Sequence, residues 1–174
     1  MSGFTRNARW TAKSRGRVQR HPDYLLTAAA VVEKAGHRVG YIEGTALDIP
    51  EEDIIRKARD FAPDILVILA TTPSIYNDIH WCARIREATD CLTVLVGQQV
   101  SAEVENAFQI GNGAVDVIAR GEYDYQLRDL ADERPLAEID GISFMENNQV
   151  RHNPKAHLID VNELPFPAWH HIQP

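Results

Sequence analysis

Apolar residues between Pro22 and Gly36 recur at helical spacing, with Leu25, Leu26, Ala29, Val32 and Ala35 on one face. Pro22 suits a first helical position and Gly36 a left-handed stop, so a helix is expected here. The pattern then turns strand-like over Arg38 to Glu43. Pro50 to Phe61 repeats the helical device with Ile54, Ile55, Ala58 and Phe61, and it ends near Pro63. Asp64 to Ala70 follows, and its apolar run from Ile65 has no alternation. Both faces of such a strand are expected to be buried, as in a parallel sheet.

The cycle continues through a Thr71-Thr72-Pro73-Ser74 turn, a helix near Ile75 to Thr89 and a strand at Leu92 to Val96. Gly97, a helix over Ser101 to Ile110, a Gly111-Asn112-Gly113 break and a strand at Val115 to Ala119 complete it. Strand and helix thus alternate, which predicts an α/β domain with helices on both faces of a parallel sheet. After a short helix around Tyr125 to Ala131, the segments Gly141 to Met145 and Gln149 to His152 flank Asn147-Asn148, a hairpin signal. The expected organisation is a basic arm (1–20), an α/β domain (21–135), a β-hairpin (136–153) and a proline-rich extended linker (154–174).

Composition narrows the function classes. The 174 residues carry 18 Lys and Arg against 25 Asp and Glu, a net charge of −7, which disfavours a general nucleic-acid binder. Arg6, Arg9, Lys13, Arg15, Arg17 and Arg20 all precede the first acid, Asp23, and read as an unstructured or surface-lying terminus without a function of its own. No run approaches the roughly 18 apolar residues of a membrane span, and the first twenty positions lack a secretory core, so no membrane partner and a cytoplasmic setting are expected. Cys82 and Cys91 are too few for a disulfide scaffold, for a four-thiolate zinc site or for the three thiolates of a radical-enzyme iron–sulfur cluster.

In an open parallel sheet, ligands bind beyond the carboxyl ends of the strands. Three loops fall there: Thr71 to Ser74, Gly97 to Ser101, and Arg120 to Asp124. They serve either as ligand contacts or as helix caps and turns, and the residues alone leave both open. No phosphate-loop or dinucleotide glycine pattern is present, and no nucleophile elbow or metalloprotease helix. His170-His171 reads as linker rather than as a metal site.

The order of segments nevertheless resembles a known family. His21-Pro22-Asp23-Tyr24-Leu25-Leu26, Ala28 to His37, the Thr-Thr-Pro-Ser turn, the Gly97 loop, Arg120-Gly121-Glu122, Ile139-Asp140-Gly141-Ile142-Ser143-Phe144 and Leu164-Pro165-Phe166-Pro167-Ala168-Trp169 are similar, in order and spacing, to the cobalamin-binding domain of cobalamin-dependent radical S-adenosylmethionine enzymes. The resemblance covers roughly residues 21 to 172. It implies a flavodoxin-like or Rossmann-like doubly wound sheet with cobalamin at the rim. Thr71, Thr72, Ser74 and Tyr76 would lie on one side, Gly97, Gln98 and Ser101 on another, and Gly121 and Glu122 on the third. It also implies a radical S-adenosylmethionine barrel, in cis or in trans, which carries the 4Fe-4S cluster and S-adenosylmethionine and is absent from this chain.

Three departures shape the expectation. The family's first, apolar strand has no counterpart in residues 1–20, so either the chain is truncated or the sheet is rearranged. Gln98 follows Gly97 where the family has a second glycine. Asp78-Ile79-His80-Trp81-Cys82-Ala83 is similar to the D-x-H-x-x-G motif with which methionine-synthase-like proteins coordinate cobalt. Ala83 replaces the glycine, however, and the segment falls in a helix after the wrong strand, so His80 is taken as a helix residue and no metal ligand is assigned. The implied function is a cobalamin-binding module, inert alone, of an enzyme of methyl transfer or radical rearrangement. The alternative is a cofactor-free flavodoxin-like interaction or regulatory domain.

Overall fold

The computed structural model describes residues 23–42 and 49–172; the basic arm lies outside them. Helices α1 (Asp23–Lys34) and α2 (Glu51–Phe61) precede β1 (Ile65–Leu69), α3 (Ile75–Thr89) and β2 (Leu92–Val96). There follow α4 (Gln98–Ala102), α5 (Val104–Gly111), β3 (Val117–Ala119), α6 (Asp124–Ala131), β4 (Ile142–Glu146) and β5 (Gln149–His152). Helices α2, α3 and α5 stop at Ala62, Asp90 and Asn112. Each adopts a left-handed conformation and returns its N–H to the carbonyl of Ala58, Arg86 or Phe108.

The strands form one sheet in the order β1-β2-β3-β4-β5. β1, β2 and β3 are parallel neighbours, with Ile65 opposite Leu92 and Val94 opposite Val117. The hairpin continues this sheet, because β4 pairs antiparallel with β3 and β5 with β4. Its turn is made by Asn147 and Asn148, both at positive φ, the combination that matches strand twist in a two-residue loop.

Alternation along the strands sorts the core into two layers. Val94, Val96, Val117 and Ala119 pack beneath Ala28 of α1 and Leu127 and Leu130 of α6. Leu95 and Ile118 pack on the other face against Ile79 and Cys82 of α3 and Ala107 and Phe108 of α5. Ile54, Ile55 and Ala58 of α2 join that second face beside Leu66. The two crossovers step in the same direction, so their common handedness puts α3 and α5 on one side.

Three expectations are corrected. Residues 38–42 enter no ladder, although a strand was expected over Arg38 to Glu43, whose last residue lies outside the described ones. This segment is instead held on the end of α2, with the Arg38 guanidinium on the Phe61 carbonyl and over its ring, and Gly40 against that ring. Second, β1 is half-buried along its whole length rather than covered, because it pairs only with β2 among the described residues. Third, the single helix expected over Ser101 to Ile110 is two, broken at Glu103, whose φ of −125° and ψ of 53° leave the helical region.

The second correction has a geometric root. Asp64 accepts from Leu92 N–H and Ala70 donates to Val96 on the β2 side. Alternation in a parallel ladder then turns the main-chain groups of Ile65, Val67 and Leu69 toward the opposite edge. That edge faces a slot bounded by residues 38–42, with α1 above and α2 below. The slot lies where the resemblance places the family's first strand.

Candidate functional site: a cleft at the carboxyl edge of the sheet

Because β1, β2 and β3 run parallel, their carboxyl ends and the loops that follow share one rim. The first loop is organised by a carboxylate. Asp78, one helical turn after Ser74 and buried, accepts the Ser74 hydroxyl at 2.6 Å and the Thr71 N–H at 3.4 Å. The Thr71 hydroxyl lies 2.6 Å from Ser74 Oγ. Burial pushes the Asp78 carboxyl up to about 6, against the lowering effect of these hydrogen bonds.

The other two loops are tied to the first and to each other. The Thr72 hydroxyl donates to Gln99 Oε1 at 2.7 Å. Ser101 Oγ donates to the Gly97 carbonyl at 2.8 Å and accepts the Gly121 N–H at 3.0 Å, so one hydroxyl bridges the loops after β2 and β3. The two glycines differ in kind. Gly97, at φ +120°, is buried, and a Cβ there would stand 2.5 Å from the Ala70 carbonyl oxygen; it lets the loop cross the end of β1. At Gly121, φ +74°, a Cβ would meet open space, so this is the glycine that leaves room at the rim.

The remaining wall comes from the tail. Gly141 N–H donates to the Pro154 carbonyl at 2.7 Å, Ile159 N–H to Glu122 Oε2 at 3.2 Å, and the Arg120 guanidinium to the Ile142 and Asn153 carbonyls. Residues 155–158 thereby line the same cleft as the three loops. The cleft measures about 1760 Å³ and continues from the rim into the slot beside β1.

Of the residues singled out in the sequence, Thr71, Thr72, Ser74, Gly97, Gln98, Ser101, Gly121 and Glu122 reach its wall. Tyr76 does not: it is 73% exposed on the outer side of α3. His80 is likewise exposed and outside the cleft, although Asp78, two residues earlier, lines it. Asn77, Asp78, Gln99, Lys155 and His157 also line it and were not anticipated as binding residues. The four-residue spacing of Ser74 and Asp78 was a readable signal for one of them. Nothing local marks the tail residues, which arrive through long-range pairing.

Residues 18–131 match the B12-binding domain family. The chain belongs to this family. A curated relative of the B12-binding domain, an uncharacterized methyltransferase of Pyrococcus horikoshii, is 32% identical over 155 residues, covering 85% of this chain and 33% of its own. Among solved structures, the cobalamin-dependent S-adenosylmethionine radical enzyme OxsB, with aqua-cobalamin and S-adenosylmethionine bound, aligns with a TM-score of 0.73 at 21% identity, over 87% of this chain and 22% of that one. The radical S-adenosylmethionine methyltransferase TsrM of Kitasatospora setae, with cobalamin and a [4Fe-4S] cluster bound, aligns with a TM-score of 0.68 at 16% identity, over 84% and 28%. These likenesses establish a shared Rossmann-like α/β fold. The chain spans about a third of the length of the curated relative it matches.

The residues present fit a corrin. That ligand is a broad plate edged with amides, and it calls for a wide mouth and several neutral hydrogen-bonding groups. The rim supplies them as Thr71, Thr72, Gln98, Gln99 and Ser101, with open space at Gly121.

Proposed function

We propose that this domain holds cobalamin in the rim cleft and presents it to a radical S-adenosylmethionine barrel, in cis or in trans, in a methyltransferase or related enzyme of the cytoplasm. The ring of neutral side chains at the carboxyl edge of a B12-binding domain carries this reading. Cobalamin, when bound, supplies a cobalt centre able to carry a methyl group; the protein's share is to bind and orient it. In this role Thr72, Gln99 and the exposed Gln98 would supply the hydrogen-bonding groups that hold the amides of the ring. Ser101, held between Gly97 and Gly121, fixes the spacing of the second and third loops. Ser74 and Asp78 lie beneath, where their mutual hydrogen bond keeps the first loop in place. Glu122 serves mainly to hold the tail through Ile159 N–H.

Incubation with hydroxocobalamin followed by gel filtration tests this directly. A visible band is expected to co-elute with the protein. It should weaken with Thr72→Trp, an exposed position free of backbone strain, and with Gly121→Trp, while His80→Ala leaves its spectrum and yield unchanged. Free corrin eluting apart from folded protein would instead favour a cofactor-free interaction domain. Loss of the band in His80→Ala alone would move the anchor to α3.

A further inference from the structure

The tail does more than close the cleft. Beyond Pro167 it returns to α1, where Ala168 N–H donates to the Leu26 carbonyl at 3.0 Å and the Ala168 side chain is buried. A short 3-10 turn at Trp169–His171 follows, and it directs two consecutive imidazoles to the same place. His170 Nε2 lies 3.1 Å and His171 Nε2 2.8 Å from one oxygen, Glu33 Oε1, near the end of α1. Burial alone would raise the Glu33 carboxyl, but the two histidines hold it below its ordinary value. Residues that read as plain linker in the sequence acquire a third partner 137 positions away.

We propose that Glu33, His170 and His171 bind a divalent transition-metal cation of the zinc class, which clips the tail to α1. All three candidate ligand atoms lie within 4.8 Å of one another. A zinc-class ion holds imidazole nitrogen and carboxylate oxygen at about 2.0–2.2 Å, which sets neighbouring ligands roughly 3 to 3.5 Å apart. The two observed separations need to change by only a few tenths of an ångström. Two imidazoles and one carboxylate suit zinc, nickel or copper rather than magnesium or calcium, which take oxygen donors. His171 and Glu33 are 17% and 28% exposed, so these two ligands are positioned by packing. His170, at 64%, leaves an open side on which water completes the shell. The ion would take the place of the two Nε2–H hydrogen bonds to the carboxylate: each ring would bind through its Nε2 lone pair as the Nδ1–H tautomer, the Nε2 proton being released to solvent from a cationic ring or relocated to Nδ1 in a neutral one.

None of the three residues lines the cleft, so this site is separable from the cobalamin site. Calorimetric titration of the chelator-treated chain with zinc chloride is expected to show one ion per chain. Loss of an outer partner of a metal ligand typically costs about 10–100-fold in affinity. His171→Ala and Glu33→Gln, which remove ligands, are expected to weaken binding by at least that much, and His80→Ala to leave it unchanged. Zinc should also raise the thermal midpoint of the wild-type chain but not of either variant, whose metal-free midpoints and circular dichroism establish that they fold. Absence of stoichiometric binding, or binding by folded His171→Ala equal to wild type, would overturn the proposal and leave the cluster as ordinary hydrogen bonds. Either result is read without reference to corrin, so it does not depend on the function proposed above.

Discussion

Asp78 is the residue at which burial and hydrogen bonding compete most visibly. Its carboxyl, raised to about 6 in the folded state from an ordinary 3.8, binds a proton more tightly folded than unfolded. Stability is therefore lost as pH rises between these values, by on the order of 2 to 3 kcal/mol in full above the upper one. Asp78→Asn cannot ionise. Its urea-unfolding free energy, relative to wild type, is expected to improve by that amount from pH 4 to pH 7, and an unchanged difference would refute the assignment. Gly97 offers a second measurable strain. Gly97→Ala and Gly113→Ala both carry a positive-φ backbone penalty of about 1–3 kcal/mol, but only the first adds a contact, with the Ala70 carbonyl, while the second meets nothing within 4 Å. The first variant should therefore unfold at clearly lower urea than the second. Sequence marked Gly97 as important, but for ligand approach; the contact that requires it, across the end of β1, arises only when two strands are side by side.

At the scale of elements, periodicity carried most of the fold. The unbroken apolar run of β1, the helical face of α2 and the Asn147-Asn148 turn each appear within a residue or two of where their patterns put them. The break at Glu103 did not show, because Val100, Val104, Ala107 and Phe108 keep a helical spacing across it. The segment at 38–42 has strand-like residues but is held on Phe61 at the end of α2 and does not pair with β1, and strand structure is a property of pairs. β1 is left with Ile65, Val67 and Leu69 turned to an edge that no described residue pairs with, a template for pairing between molecules. Concentration-dependent association in sedimentation velocity is expected. It should be reduced by Val67→Pro, which removes a donor on the open edge and none on the β2 ladder. A strict monomer at all concentrations would count against an open edge.

For the whole molecule, the most useful probes are its two thiols. Cys82 and Cys91 are buried, and the Cys82 thiol is pushed up to about 12 by burial first and by nearby charges such as Asp78 second. Neither should react with a disulfide reagent in the native state. Both are expected to label at the rate at which the core opens, and rapid labelling of folded protein would show that the α3 layer is loose. The rim was largely legible because three parallel strands must end together. The tail was not, since its course depends on single hydrogen bonds to Glu122, Gly141 and Leu26. That course has a mechanical consequence. A chain leaving residue 172 departs from a point fixed on α1, not from the tip of a free coil. Any unit joined there is held near the domain at a local concentration set by the length of chain that separates it from residue 172, and the shorter that length, the more its encounters with the rim become a matter of orientation rather than of diffusion.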